Sequence, residues 1–180
     1  MSTLDPRTRA ELADVAADAR AAWRADEEEW TAAALAQWHH GRTLVDVARE
    51  HLHRGDTITV SWAGATTRLT GVVMGVGADV VALSVGSTRV DLALHAHTPI
   101  VWRVAQRAHD GGSRGHALNG FRARLLELEA AADVVDVGLD DEVVVGRLTV
   151  GRDHVVVVDD DLTTVVAISA LRYVRPSSPR

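Results

Sequence analysis

Apolar residues recur along this chain with two different periods, and the change from one to the other divides it. From residue 8 to residue 38 the pattern is helical: Ala and other helix formers dominate, and no Gly or Pro interrupts the run. Pro6 stands just ahead, where a first helical turn tolerates it. Leu12, Ala16, Ala19, Trp23 and Trp30 fall at three-to-four and seven-residue steps and draw one apolar stripe. Glu11, Asp14, Asp18 and the run Asp26 to Glu29 occupy the opposite face. The stripe has two readings: packing against the chain's own body, or an interface, since so narrow a stripe resembles a short coiled-coil seam. His39-His40-Gly41-Arg42 ends the helix, and a short second one starts from Thr43. Thr43 and Asp46 have the spacing of a capping box, with Asp in place of the usual Glu, and Leu44, Val47, Ala48 and Leu52 share a face.

From Thr57 the period drops to two. Ile58, Val60 and Trp62 alternate with polar residues up to a turn at Ala63-Gly64. Further strands are predicted over Leu69 to Met74, Val80 to Val85, Val90 to Leu94 and Ile100 to Val104. Five short strands bounded by Gly-containing turns predict a small closed barrel, and closure would remove the unpaired edges of such Val-rich strands. Residues 107–117 read as a polar, Gly-rich linker. A helix from about Asn119 to Ala132, with Phe121, Leu125 and Leu128 on one face, precedes a second strand series. That series runs through Val134 to Val137, Val143 to Val150, Val155 to Val158 and Val165 to Ile168, and ends with Leu171, Tyr173 and Val174. The expected organisation is a helical arm (1–41), a first barrel with its leading helix (42–106), the linker (107–117), a helix plus second barrel (118–176) and a tail (177–180). The class is α+β, mainly β.

The two halves look alike. Gly71 to Val81 aligns with Gly146 to Val156 after one deletion: each copy has a Gly, a Val-Gly-x-Asp turn and an apolar strand. An amphipathic helix precedes each, which points to tandem copies of one unit. In that reading Gly71 and Gly146 allow a strand bend or a close backbone approach. Asp79 and Asp153 follow the turn glycines Gly77 and Gly151 by two residues, where a short carboxylate bonds the backbone of the turn.

A helix followed by a five-stranded barrel with a Gly bend in strand two resembles the Sm-like (small SH3-like barrel) fold, here over residues 43–104 and 119–175. The chain is also similar in layout to uncharacterised double-barrel proteins of high-GC bacteria, a resemblance that implies no activity. Sm-like proteins that bind uridine-rich RNA use a strand-two Gly, then an Asp, an Asn on strand three and a later Arg-Gly pair. Gly71 and Gly146 match the Gly. The Asp position falls on or beside Gly77 and Gly151, the Asn position near Val81 and Val156, and no Arg-Gly follows. The RNA pocket is therefore not carried over.

Composition narrows the function classes. Without Cys the chain has no disulfide, thiolate metal site or cysteine nucleophile, which fits a reducing compartment. Its first residues lack the charged and apolar regions of a signal peptide, and no apolar run approaches the ~20 residues that span a bilayer. A soluble, cytoplasmic protein without membrane contact is expected. The net charge is −6, every basic residue is Arg, and acids outnumber Arg at both ends of the chain. A nucleic-acid binder normally carries a basic stripe; none is visible, so that partner is not favoured.

The candidate chemistry is thin. His95 and His97 flank Ala96 and share a strand face, but Val90, Leu92 and Leu94 have the opposite parity, which assigns the pair to the solvent side. Two ligands fall short of the three or four that zinc needs, and a third would have to come from His109 or His116. Ser61, Ser84, Ser87 and Ser169 lack a nucleophile elbow, and Gly75-Val76-Gly77 lacks the third Gly and following helix of a dinucleotide loop. Arg54-Gly55-Asp56 and Asp159-Asp160-Asp161 read as turns. No enzyme, metal or cofactor is expected. The favoured function is a binding or scaffold protein, contacting a protein partner or itself through Trp23, Trp30 and Trp38. One alternative is an RNA- or DNA-binding Sm-like module using Arg42, Arg54, Arg68, Arg89 and Arg103. A second is a metal protein or enzyme built on His95 and His97.

Overall fold

The structure, a computed structural model, describes residues 5–62, 68–95, 100–108, 111, 115–160 and 162–177, with the side chains of the first helix described at Arg7 and from Val15 onward. It divides into two compact units, Met1–Arg42 and Thr43–Arg180. The first is one long helix, α1 (Pro6–His40), which opens on Pro and closes where the Gly41 N–H donates to the Gln37 carbonyl at 3.1 Å.

The second unit is mainly β. Helix α2 (Leu44–Arg54) leads into strands β1 (Thr57–Trp62), β2 (Leu69–Val76), β3 (Val80–Val85), β4 (Thr88–Ala93) and β5 (Ile100–Gln106). A two-residue strand β6 (His116–Ala117) and helix α3 (Phe121–Ala131) follow. Then come β7 (Val134–Gly138), β8 (Val143–Val150), β9 (His154–Asp159), β10 (Leu162–Ala167), a 3-10 turn (Ile168–Ala170) and β11 (Tyr173–Pro176). Local chemistry sets the ends of α2. The Thr43 hydroxyl accepts from the Asp46 N–H (3.2 Å), the Asp46 carboxylate accepts from the Thr43 N–H (2.9 Å), and left-handed Gly55 (φ 75°) closes the last turn.

All the strands join one sheet in the order β10-β9-β8-β7-β11-β4-β3-β2-β1-β5, with β6 alongside β2. Among the described residues every pairing is antiparallel except β2 with β6. Two barrels closing separately were expected. Instead the hydrogen bonding passes from β4 to β11, with Tyr173 opposite Leu92 and Val174 opposite Asp91. Among the described residues the sheet stays open at β10 and β5. Period-two alternation assigns each side chain to a face but says nothing of which strand lies along each edge. Residues 115–117, assigned by sequence to a linker, are part of the packing: β6 pairs with β2, and Gly115 lies against Leu52.

Pairing of β2 with β3 slips once, between Val73 and Gly75, leaving Met74 as an extra residue. This bulge accounts for the one-residue deletion between the two Gly-containing segments, because β8 pairs with β9 without a slip.

The core has two clusters. One gathers Ile58, Val60, Trp62, Leu69, Leu83, Val90 and Leu92 with Leu52 of α2, and takes in Tyr173 from β11. The other gathers Phe121, Leu125 and Leu128 of α3 with Val135, Val137, Val155 and Val157, and takes in Val80 and Ala93. Polar contacts tie α3 to both sets of strands. Asp79 Oδ1 accepts from the Phe121 N–H (2.8 Å) and Arg124 Nε donates to Asp91 (2.8 Å), whereas Arg122 donates to the Gly151 carbonyl (3.0 Å) and Glu129 accepts from the Val150 N–H (3.2 Å).

Candidate interaction surface

The least covered apolar residues sit on α1. Trp23 and Trp30 are seven residues apart, two helical turns, and are 80% and 78% exposed; Trp38 is 51% exposed. The side chain of Leu12, first member of the stripe read from sequence, lies outside the described residues. The Arg42 guanidinium stacks over the Trp38 ring at 4.1 Å, and His39 meets the same ring edge-on at 4.9 Å. Trp30, Glu29 and Ala33 line a shallow concavity. The other two-fifths of the tryptophan complement has the opposite fate: Trp62 and Trp102 pack in or against the first core cluster.

The arginines singled out by sequence have separate employments. Arg42 lies over Trp38. Arg54 forms an ion pair with Glu50 one helical turn back. Arg89 donates through Nε (2.9 Å) and Nη2 (2.7 Å) to the fully buried Asp91, which also holds Arg124. Arg68 is exposed just ahead of β2, and Arg103 is exposed on β5 opposite Thr59. Carboxylates therefore already neutralise Arg54 and Arg89.

The histidines also have structural settings. His51 is buried at the end of α2 and its Nδ1 lies 3.0 Å from Asp56 Oδ2. An ionised carboxylate can only accept, so Nδ1 carries the proton. The other Asp56 oxygen accepts from the Ala108 N–H at 3.0 Å, and the imidazole stacks on Trp102 at 6.2 Å. Burial pushes the Asp56 carboxyl up, but the His51 and Ala108 hydrogen bonds outweigh it and hold the group below its ordinary value. His95 differs from the solvent-facing strand end expected of it: its ring meets Phe121 edge-on at 5.8 Å, and Nε2 is buried with no hydrogen-bond partner among the described residues. His97 and His109 lie outside the described residues, and His116 is exposed on β6. Among the described residues no three His, Cys, Asp or Glu side chains are grouped as a metal would require.

Each Gly and Asp of the aligned segments has an identifiable position. A Cβ on Gly71 would run into the Ser84 carbonyl, and one on Gly146 into that of Val158, so at both places a neighbouring strand passes too close for a side chain. Gly77 N–H donates to the Val80 carbonyl and Gly151 N–H to that of His154, each at 2.8 Å. The Asp side chains part company. Asp153 bonds His154 Nδ1 at 2.9 Å, and this contact lowers its pKa. The Asp79 carboxylate reaches across to cap α3, a long-range role that turn statistics cannot anticipate. Gly120, where α3 would otherwise present its own N-cap side chain, leaves that place open.

Among the described residues no helix is long and apolar enough to cross a membrane. Comparison with known proteins gives no matching family model and no matching curated protein.

Proposed function

We propose that the protein is a non-catalytic binding or scaffold protein, made of a Trp-bearing arm that docks on a protein partner and of two like units of the Sm-like kind. The docking reading is carried by one observation: Trp23 and Trp30 stand about four-fifths exposed on one face of α1. Large aromatics concentrate interface energy, and contiguous exposed apolar surface marks interaction sites. The His51–Asp56 pair supports a structural rather than a chemical use, since both carboxylate oxygens are engaged within the fold.

The like-units reading rests on recurrence. The strand order β5-β1-β2-β3-β4 has its counterpart in β11-β7-β8-β9-β10. Leu94 N–H donates to the Asp79 carbonyl as Ile168 N–H does to that of Asp153, at the same offset along the chain as the two turn glycines. One helix stands ahead of each set, α2 before β1 and α3 before β7. A cytoplasmic setting fits a chain without cysteine.

The test uses the full chain and its Trp23→Ala/Trp30→Ala variant as baits in native cytoplasm, with and without nuclease, read by mass spectrometry. A protein set that survives nuclease and is lost from the folded double variant is the expected result. A set retained by the variant overturns docking through the arm. Recovery that collapses on nuclease treatment puts the nucleic-acid reading in its place.

A further inference from the structure

We propose that the exposed face of α1 is covered by α1 of a second copy of this chain, laid antiparallel along its full length, so that two chains close into a dimer about Trp23. The inference deepens the docking reading above and rests on it: it names the partner and the direction in which it lies.

α1 is long and bare. From Ala17 to His40 every residue is exposed, the tryptophans included. A helix in water gains most of its stability from packing an apolar face, and the 35 residues of α1 offer about 50 Å of length for it.

The charge along α1 selects the partner. Four Arg stand against three acids from Pro6 to Arg24, a net charge of +1. From Ala25 to His40 there are four acids, Asp26 to Glu29, and no Arg, a net charge of −4 with His neutral. Two copies running in the same direction would lay the acidic segments against each other. Reversed, each acidic segment lies beside the segment that holds the arginines, so α1 is complementary to its own reversed copy.

The side chains fit the same arrangement. Full overlap sets Pro6 level with His40, which brings Trp23, the middle residue, level with Trp23 of the other copy. Trp30 comes level with Ala16, a large side chain against a small one. At 3.6 residues per turn, Ala16, Trp23 and Trp30 lie within about 40° of one another, so all three belong to one seam. Arg20 and Glu27 stand on the same flank of that seam, about 20° apart. A two-fold axis through Trp23 carries each flank onto itself, and Arg20 of each copy falls within one residue step of Glu27 of the other. The ion pair therefore forms twice. Such a contact uses the same surface on both chains and stops at a dimer.

The experiment is mass measurement on the full chain by light scattering and native mass spectrometry, with spin labels to read direction. A dimer is expected at micromolar concentration, and a monomer for Trp23→Ala/Trp30→Ala. The chain has no Cys, so Ala36→Cys carries the one label, on the side of α1 turned from the seam. The two labels should stand more than about 40 Å apart in the antiparallel dimer, against about 25 Å or less for copies running parallel. Arg20→Glu should weaken the dimer by at least about tenfold, since two like-charge contacts replace two ion pairs, and adding Glu27→Arg should restore it to within about threefold. A monomeric full chain, a dimer kept by the Trp variant, the shorter label distance, or a charge swap without recovery overturns the proposal. If the Trp variant loses helix by circular dichroism, the label distance in the chain that keeps both tryptophans decides. A monomeric chain that still captures a protein set through Trp23 and Trp30 rejects the second copy and leaves the docking reading standing; one that captures nothing through them rejects both.

Discussion

Replacing Asp91 by Ala should cost about 3 kcal/mol of stability. The carboxylate is wholly buried on β4 and takes hydrogen bonds from Arg89 Nε and Nη2 on one oxygen and Arg124 Nε on the other, at 2.7–2.9 Å. Hydrogen bonds to charged groups contribute about 1.5–3 kcal/mol each, and removing one partner of a buried pair costs about 3–5 kcal/mol. The lower end applies. The Arg89 side chain is 37% exposed and rehydrates readily, while Arg124 keeps Glu127 at 2.9 Å. Asp91→Asn, which retains an acceptor without the charge, should lose about half as much. Paired replacement by Asp91→Leu and Arg124→Leu should cost less than Asp91→Ala, because no buried charge is left unmatched. Urea unfolding followed by tryptophan emission reads the effect. With a slope of about 1–3 kcal/mol per molar, the Asp91→Ala midpoint should fall by about 1–3 M. A loss under about 0.5 kcal/mol, the range of ordinary surface substitutions, would refute the assignment of this contact as the tie between β4 and α3.

Three further outcomes follow from the same geometry. Gly138→Ala drives a methyl group into the Tyr173 ring and should destabilise by about 2–3 kcal/mol, with recovery when Tyr173 is replaced by Leu; no recovery would place the strain elsewhere. Asp79→Ala removes the long-range cap of α3 and should cost about 1 kcal/mol, with faster hydrogen exchange at Phe121; unchanged exchange there contradicts it. Asp56 has a lowered folded pKa, so its contribution is complete above the unfolded value of about 3.9 and is lost as pH falls through the folded one. Acid denaturation below about pH 4 should therefore be less steep in Asp56→Asn, and an identical acid profile would reject the His51–Asp56 account.

Much of the local structure is legible in the residues alone. Alternating Ile58, Val60 and Trp62 mark β1, and Thr43 with Asp46 marks the start of α2, because these signals act within a few residues. The chain-distant contacts are not legible. Nothing in Leu92 or Tyr173 says that they face each other, since strand pairing depends on the shape of the whole sheet. Asp79 reads as a turn residue because its partner, the Phe121 amide, belongs to a helix far along the chain. His95 reads as solvent-facing by parity, but parity ends with the strand: His95 lies two residues past β4. The tryptophans illustrate the limit best. Trp23 and Trp62 carry the same chemistry, yet one is exposed and the other buried, and only what packs beside each distinguishes them.

Tyr173 has a consequence for how the protein comes into being. It completes the core made by α2 and the first five strands, its ring tilted against that of Trp62 at 5.8 Å, but it is synthesised after all of those elements, with the strands β7 to β10 in between. Domains usually fold as they leave the ribosome, beginning with the N-terminal one. Here the earlier half has to wait for the later one, so its final consolidation is expected only once Tyr173 has been made. Force measurements on ribosome-bound chains of increasing length should accordingly register the main folding event after Tyr173 clears the exit tunnel, and an event of full strength before that point would contradict the dependence.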